Sequence, residues 1–325
     1  MAGGPSRPEL VVAAAEAGGL GFLAAGYRTA EAMAAEMEAV RTATAGAFAV
    51  NLFVPQAPAD PAVVRPYLET LEPEAAALGA ALGEPSWDDD GWEAKIETLL
   101  AHPPPLVSFT FGCPPAEVLA AFRQAGTLVA VTVTTPEEAA VAAGAGAGCL
   151  CVQGAEAGAH RGSFTDDDRP GRDWGLLPLL TETARVTDLP LIAAGGIGGP
   201  AGVAAVLAAG AVAGQVGTAF LRCPESGAHP VYKAALADSR FTATAITRAF
   251  SGRPARGLVN RFLAAHPGAP PAYPEINNAT RPLRAAAAAR GDAGAMSLWA
   301  GQAFRAATDD AAGEIIHRLA ATATF

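Results

Sequence analysis

Short runs of apolar residues alternate along the first part of the chain with longer segments whose apolar positions recur at helical spacing. Uninterrupted apolar runs predict strands buried on both faces of a sheet, since a half-exposed strand alternates apolar and polar residues. The runs predict strands at Leu20–Ala24, Phe48–Leu52, Leu106–Phe109, Leu128–Thr132, Cys149–Gln153, Leu191–Ala194 and Val212–Val216. The segments between them predict helices at Glu9–Ala17, Thr29–Arg41, Val63–Ala81, Gly91–Ala101, Pro115–Ala125, Pro136–Ala143, Leu176–Val186 and Gly199–Ala209.

This alternation predicts an α/β fold with a parallel sheet covered by helices, of the TIM (β/α)8 barrel type. A closed barrel of this type has eight strands, and only seven are predicted before residue 217. The chain opens directly on a loop and a helix, so the first strand of the barrel is expected to be missing or truncated. Its place in the fold would precede Met1. The alternative occupant of the gap is the later strand-like run Phe241–Thr247.

The remaining segments complete a single domain over residues 1–325, with a barrel core at 1–220 and a cap with closing helices at 221–325. In the cap, Arg281–Arg290 and Ser297–Thr308 are predicted to be helical. The stretch Arg65–Trp92 contains prolines and the acidic run Asp88–Asp90, which indicates an irregular insertion over the catalytic face.

Composition excludes several classes of protein. Hydrophobic residues make up 51% of the chain and charged residues 17%, which is typical of a large packed core rather than disorder. The net charge of −10 excludes the basic patch that a nucleic-acid-binding protein needs. No apolar stretch reaches membrane-spanning length, and the N-terminus lacks the pattern of a signal peptide.

The four cysteines are not arranged as CxxC pairs, and no HxxxH or HExxH pattern is present, so the sequence predicts no metal site. We expect the cysteines to be buried free thiols, which indicates a reducing compartment and a cytoplasmic location. The oligomeric state is left open.

Glycines follow the last two predicted strands, where barrels of this type bind phosphate groups. Gly195-Gly196 opens the loop after Leu191–Ala194, and Gly217-Thr218 follows Val212–Val216. Glycine exposes backbone N–H groups and allows close approach of a phosphate, so this pair of loops predicts a phosphate site. The alternative is that they are ordinary tight turns.

Polar side chains at the ends of apolar strands are candidates for direct contact with a ligand. Asn51, Gln153 and Gln215 carry amides that could read the edge of a planar ring, or could only cap loops. His160 lies on the small-residue loop after Gln153 and is the candidate general base, because imidazole titrates near neutral pH. The alternative for His160 is an ordinary surface histidine.

Several motifs in the same order along the chain resemble those of the nitronate monooxygenase family, formerly called 2-nitropropane dioxygenases. They are Met1-Ala2-Gly3-Gly4, Asn51-Leu52-Phe53, Ser108-Phe109-Thr110-Phe111-Gly112, Gln153 to Gly162, Ala193-Ala194-Gly195-Gly196-Ile197, Gln215-Val216-Gly217-Thr218, Ser251-Gly252-Arg253-Pro254-Ala255-Arg256-Gly257 and Ser297-Leu298-Trp299-Ala300-Gly301-Gln302.

The resemblance implies an FMN-binding TIM barrel that oxidises alkyl nitronates with O2 to a carbonyl compound and nitrite, with a nitronate and O2 as its small-molecule partners. It implies that His160 is the catalytic base and that FMN is held by Asn51, Gln153, Gly158, Gly195, Gly196, Gln215, Val216, Gly217 and Thr218. One departure is Ala159, because the family usually has a second glycine before the histidine.

Two competing functions follow from the same residues. A very similar histidine loop serves flavin-dependent enoyl-ACP reductases, which take hydride from NAD(P)H. A barrel that binds a phosphate or flavin ligand without turnover is the second alternative, and the missing first strand is the feature that supports it.

Overall fold

A computed structural model describes residues 1–166 and 173–321, and its main element is a parallel seven-stranded sheet. All seven predicted strands are confirmed, and they lie side by side in the order in which they occur along the chain. The strands of this sheet are β1 Gly21–Ala24, β2 Phe48–Phe53, β3 Leu106–Thr110, β4 Leu128–Val133, β5 Cys149–Gln153, β7 Leu191–Ala194 and β8 Ala213–Gln215. The curled sheet with its helices is a TIM-barrel-like fold.

A second, antiparallel sheet contains three short strands in the order β6-β10-β9. These strands are β6 Ala159–His160, β9 Thr244–Thr247 and β10 Ala255–Leu258. The strand-like run Phe241–Thr247 therefore does not join the large sheet, because Thr244–Thr247 pairs with Ala255–Leu258 instead. Among the described residues no eighth strand extends the large sheet.

Helices follow most strands of the large sheet, and their starts have clear sequence causes. Thr29, Asp60 and Thr135 accept a backbone N–H of the first turn with their side-chain oxygens, as N-cap residues do. The helices are α1 Pro8–Glu16, α2 Ala30–Ala43, α3 Pro61–Leu78, α4 Trp92–Ala101, α5 Ala116–Gln124, α6 Pro136–Ala145, α7 Leu176–Thr183, α8 Pro200–Ala208, α9 Pro230–Ala237, α10 Arg261–Ala265, α11 Glu275–Ala289 and α12 Ala312–Ala320. Three 3-10 turns lie at Thr218–Phe220, Ala293–Ala295 and Phe304–Ala306.

The two faces of the sheet have different side chains, because successive residues of a strand point to opposite sides. Large residues such as Leu52 and Phe109 point outward and pack under the helices. The inner face holds mostly small side chains, Ala49, Ala130 and Cys149, in a cluster that also contains Leu106. The next inward-facing positions toward the carboxyl ends of the strands are polar, and this is where the candidate site lies.

The predicted helix at Val63–Ala81 is confirmed by α3, so the overlapping prediction of an irregular stretch at Arg65–Trp92 is wrong in its first half, as far as Leu78. This helix contains Pro66 and Pro73, which each remove a backbone donor. Its buried stripe, which includes Leu71, packs against α11, and we attribute the stability of the helix to this packing. Only the second half of the stretch is irregular.

The prediction of a helix at Ser297–Thr308 is also wrong. Leu298 and Ala300 exchange backbone hydrogen bonds with β10, and Trp299 forms a bridge with Gly257. These bonds hold residues 298–300 extended beside the small sheet, and only Phe304–Ala306 makes a 3-10 turn. The prediction of a helix at Arg281–Arg290 is confirmed by α11, which begins six residues earlier than predicted, at Glu275, and ends at Ala289.

All four cysteines are free thiols, as predicted. Cys149, Cys151 and Cys223 are buried, whereas Cys113 is only half-buried. In the described parts of the chain, no helix combines the length and the apolar character needed to cross a bilayer.

Candidate active site

A network of hydroxyl groups orients the amide of Asn51 at the carboxyl end of the sheet. The hydroxyls of Ser108 and Thr110 donate to Asn51 Oδ1 at 2.8 and 2.9 Å, and Thr110 also contacts the hydroxyl of Thr132 at 3.3 Å. With its oxygen used in this way, Asn51 Nδ2 finds no acceptor within residues 1–166 and 173–321. The amide N–H groups are therefore available to a ligand.

The side chain of Gln153 anchors the loop that carries His160. Gln153 Nε2 donates to the carbonyl of His160 at 3.1 Å, and its Oε1 accepts the N–H of Gly162 at 2.8 Å. The backbone carbonyl of Gln153 also accepts a hydrogen bond from Arg161 at 3.1 Å. Gln153 thus fixes the backbone of the loop and keeps one amide N–H outside these bonds.

His160 lies in a cage of aromatic rings that come from distant parts of the chain. Its ring centroid is 5.7 Å from that of Phe111, 5.5 Å from Tyr273 and 5.6 Å from Trp299. The backbone of His160 pairs with Ala255 in the small sheet, which fixes where the loop crosses the site. The surface-histidine alternative is therefore wrong in this structure.

The imidazole of His160 is held in its neutral form. Burial, followed by the nearby guanidinium groups of Arg253 and Arg284, lowers the pKa of His160 to about 3. Arg253 is itself almost completely buried, where it donates to the carbonyl of Ser163 and lies 4.1 Å from the ring centroid of Phe111. At neutral pH the imidazole therefore has a free lone pair, which is what a base or a hydrogen-bond acceptor needs.

Gly158 packs against another segment of backbone. A Cβ at this position would lie 2.4 Å from the nitrogen of Gly301 and 2.6 Å from the carbonyl carbon of Ala300. Gly301 in turn donates to the hydroxyl of Thr218 at 3.1 Å. The glycine therefore lets the His160 loop lie directly against the segment Ala300–Gly301, which is a packing role.

Ala159 has a left-handed backbone, with φ at +64°. This conformation costs an L-residue roughly 1–2 kcal/mol, which explains why glycine would suit this position better. The methyl group of Ala159 is thus tolerated here at the expense of backbone strain.

We expect Ala159→Gly to stabilise the protein by about 1 kcal/mol, because relief of the left-handed strain exceeds the roughly 0.5–1 kcal/mol entropic cost of glycine. Urea unfolding at equilibrium measures the difference. The matched control is Ala140→Gly on the exposed face of α6, and its free energy of unfolding should fall by about 1 kcal/mol. Equal losses in both variants would contradict the strain argument.

The glycine loops after β7 and β8 present backbone donors at the same edge of the sheet. Gly195 and Gly196 have φ values of +112° and +70°, and a Cβ on Gly195 would lie 2.9 Å from the nitrogen of Ala157. In the described ranges, the N–H groups of Gly195, Gly196 and Gly217 donate to no protein acceptor. These donors fit an anionic ligand such as a phosphate.

The other predicted residues lie beside these loops. Gln215 is exposed, and its Oε1 accepts a weak hydrogen bond from the thiol of Cys151 at 3.3 Å. Val216 packs on the apolar clusters, so only its backbone can face a ligand. Within the described ranges, no three His, Cys, Asp or Glu side chains are grouped in a way that could hold a metal ion.

A cleft of about 440 Å³ opens next to the aromatic cage. Tyr27, Phe53 and Tyr273 line it, together with the acidic run Asp88–Asp90. Tyr273 lines the cleft and its ring also contacts that of His160, so this side chain is shared by the cleft and the aromatic cage.

Sequence reasoning missed the residues that surround His160. Ser251 Oγ lies 2.8 Å from His160 Nε2, and Arg253, Tyr273 and Trp299 complete the surroundings. The run Ser251-Gly252-Arg253 and the run around Trp299 were recognisable as motifs, but neither indicates contact with His160. Tyr273 had no signal in the sequence.

Comparisons with known proteins agree with each other. The family model described as nitronate monooxygenase matches residues 1–322. The nitronate monooxygenase of Pseudomonas aeruginosa is 42% identical over 97% of this chain and 92% of that protein, and a probable nitronate monooxygenase of Staphylococcus aureus is 34% identical over 97% and 90%.

Among solved structures, a nitroalkane oxidase from Streptomyces ansochromogenes superimposes with a TM-score of 0.96 at 50% identity, over 99% of this chain and 93% of that chain. FabK from Thermotoga maritima is more distant, with a TM-score of 0.72 at 25% identity over 99% and 90%.

Proposed function

Because the chain belongs to the nitronate monooxygenase family and is an enzyme that oxidises nitronates or nitroalkanes, we propose that it uses bound FMN and O2 and that His160 is its base. The observation that carries the assignment of His160 is its position. A neutral imidazole stands at the carboxyl end of the sheet among aromatic rings, and one of these rings, Tyr273, also lines an open cleft.

The donors of the site fit the chemistry of FMN. A phosphate would be held by the N–H groups of Gly195, Gly196 and Gly217, with the hydroxyl of Thr218 as a further donor. Asn51 Nδ2 supplies donors for the polar edge of a planar ring, and Gln153 and Gln215 add amides along the same end of the sheet. When bound, FMN supplies the redox chemistry of the reaction.

Gly158 contributes to this site indirectly. Its missing side chain allows the segment Ala300–Gly301 to reach Thr218, which belongs to the proposed phosphate loop. Gly158 is therefore proposed to shape the FMN site by packing, together with Val216, which anchors the last loop in the apolar core.

The protein groups around His160 favour an anionic substrate. Arg253 and Arg284 create positive potential at the imidazole, and this potential stabilises a nitronate anion more than a neutral nitroalkane. An anion bound beside the imidazole would also raise the pKa of His160 toward the range in which it can exchange a proton.

The products of the overall reaction are a carbonyl compound and nitrite, and the substrate and O2 are the small molecules that the site must admit. The aromatic cage covers part of the imidazole, and the cleft lined by Tyr27 and Tyr273 lies beside this cage. The free thiols of the chain fit a reducing, cytoplasmic environment for this enzyme.

The absorption spectrum combined with an oxygen electrode tests the proposal. We expect the purified protein to be yellow and to consume O2 with propionate 3-nitronate in the absence of pyridine nucleotide. Anaerobic bleaching of the flavin by NADPH without nitronate turnover would instead support the enoyl-ACP reductase alternative. A colourless protein that does not take up added FMN would contradict the cofactor assignment.

A further inference from the structure

We propose that Ser251 is a positioning residue that holds His160 as the Nε2–H tautomer, so that Nδ1 carries the lone pair offered to the substrate. The proposal rests on the function of His160 proposed above. It adds which ring nitrogen takes the proton and which residue selects that nitrogen. Ser251 lies 91 residues further along the chain and is completely buried.

The hydrogen-bond partners of the Ser251 hydroxyl determine the tautomer. Ser251 Oγ lies 2.8 Å from His160 Nε2 and 3.2 Å from the carbonyl oxygen of Arg253, and it also accepts the backbone N–H of Arg253 at 3.4 Å. A hydroxyl has one proton to donate. If that proton goes to the carbonyl of Arg253, Oγ must accept from His160, which requires a hydrogen on Nε2.

The opposite arrangement leaves a buried acceptor without its partner. If Ser251 donated to Nε2, the carbonyl of Arg253 would lose the side-chain donor that it has among the described residues. An unpaired acceptor in a buried site is unfavourable, so the Nε2–H tautomer is favoured.

Nδ1 is the nitrogen left for chemistry. It has no hydrogen-bond partner in the described protein and is not among the enclosed, unpartnered polar atoms, so it faces accessible space. With a nitroalkane, the α-carbon C–H bond breaks and an N–H bond forms at Nδ1. The electron pair of the broken bond moves into the nitro group, which gives the nitronate anion, and Nε2–H continues to donate to Ser251.

Nitrogen NMR of the flavin-bound protein, labelled with 15N in its histidines, tests the tautomer directly. The ring signals of His160 are identified by their absence in His160→Asn. We expect a protonated, pyrrole-type shift for Nε2 and a pyridine-type shift for Nδ1. The reverse assignment in the wild-type protein would overturn the proposal, whatever the enzyme turns over.

A pair of variants tests the role of Ser251. Ser251→Ala should mix the two tautomers and lower kcat/KM for a nitroalkane roughly tenfold, the size of one lost hydrogen bond, with flavin content retained. Ser251→Thr, which keeps the hydroxyl, should keep the single Nε2–H tautomer and the wild-type kcat/KM. An unchanged tautomer in Ser251→Ala would overturn the proposal, and if this variant does not fold, the wild-type spectrum decides.

Failure here is distinguishable from failure of the proposed function. The NMR spectrum reports the tautomer without any turnover, whereas the oxygen electrode reports turnover without any knowledge of the tautomer. A yellow, active protein with hydrogen on Nδ1 would contradict only the role proposed for Ser251. A protein with the Nε2–H tautomer but no nitronate oxidation would contradict only the proposed function.

Discussion

Replacing His160 with asparagine is expected to lower kcat/KM for a neutral nitroalkane by about 10²–10⁴-fold, the usual contribution of a general base. Asparagine can still accept or donate a hydrogen bond toward Ser251, but it cannot take up a proton near neutral pH. The loss should therefore fall on the step that removes the α-proton. Initial rates of oxygen uptake with nitroethane measure it.

The matched comparison uses the anion of the same compound. Ethyl nitronate has already lost its proton, so His160→Asn should retain most of the turnover with this substrate. Flavin absorbance at equal protein concentration controls for cofactor loss. Equal losses with nitroethane and ethyl nitronate would contradict the base assignment and would indicate that His160 only shapes the pocket.

The pH dependence of the same variant provides a second readout. The pKa of His160 is lowered to about 3 in the folded protein, mainly by burial, whereas an unfolded chain has a histidine pKa of about 6.5. The unfolded state then binds the additional proton as the pH falls from about 6.5 to about 3, so folding loses stability in this window. His160→Asn should remove this part of the acid sensitivity, which urea titrations at several pH values would detect.

The second large effect is expected for Gly158→Ala, which should destabilise the fold by about 3 kcal/mol. The added Cβ would lie 2.4 Å from a backbone nitrogen of Gly301, and backbone cannot move aside as a flexible side chain can. The segment that must shift also donates from Gly301 to Thr218 and from Gln302 to the carbonyl of Glu156. We therefore expect weaker flavin retention together with the loss of stability.

The control for Gly158→Ala is Gly199→Ala. Gly199 lies in the loop before α8, and a Cβ there would have no heavy atom within 4 Å. Its stability should change by no more than about 0.5 kcal/mol. Urea unfolding and flavin release are measured on both variants. Equal stability and equal flavin release in the two proteins would argue against the proposed contact.

The elements that the sequence predicted correctly are those whose signal is local. The seven apolar strands and the glycine loops after β7 and β8 follow from patterns within a few residues, because strand burial and turn geometry depend on neighbouring positions. The errors lie where distant packing overrides the local pattern. Residues 298–300 have a helix-compatible composition, yet backbone bonds to β10 hold them extended.

The same distinction applies to the candidate site. The sequence by itself determined the parallel strands, the position of His160 on the loop after β5, and the loops that present backbone donors. Only the tertiary structure decided what surrounds the imidazole, since Phe111, Ser251, Tyr273 and Trp299 reach it from separate segments. The protonation state of His160 is set by burial and by neighbouring guanidinium groups, and both depend on distances that exist only after the chain has folded.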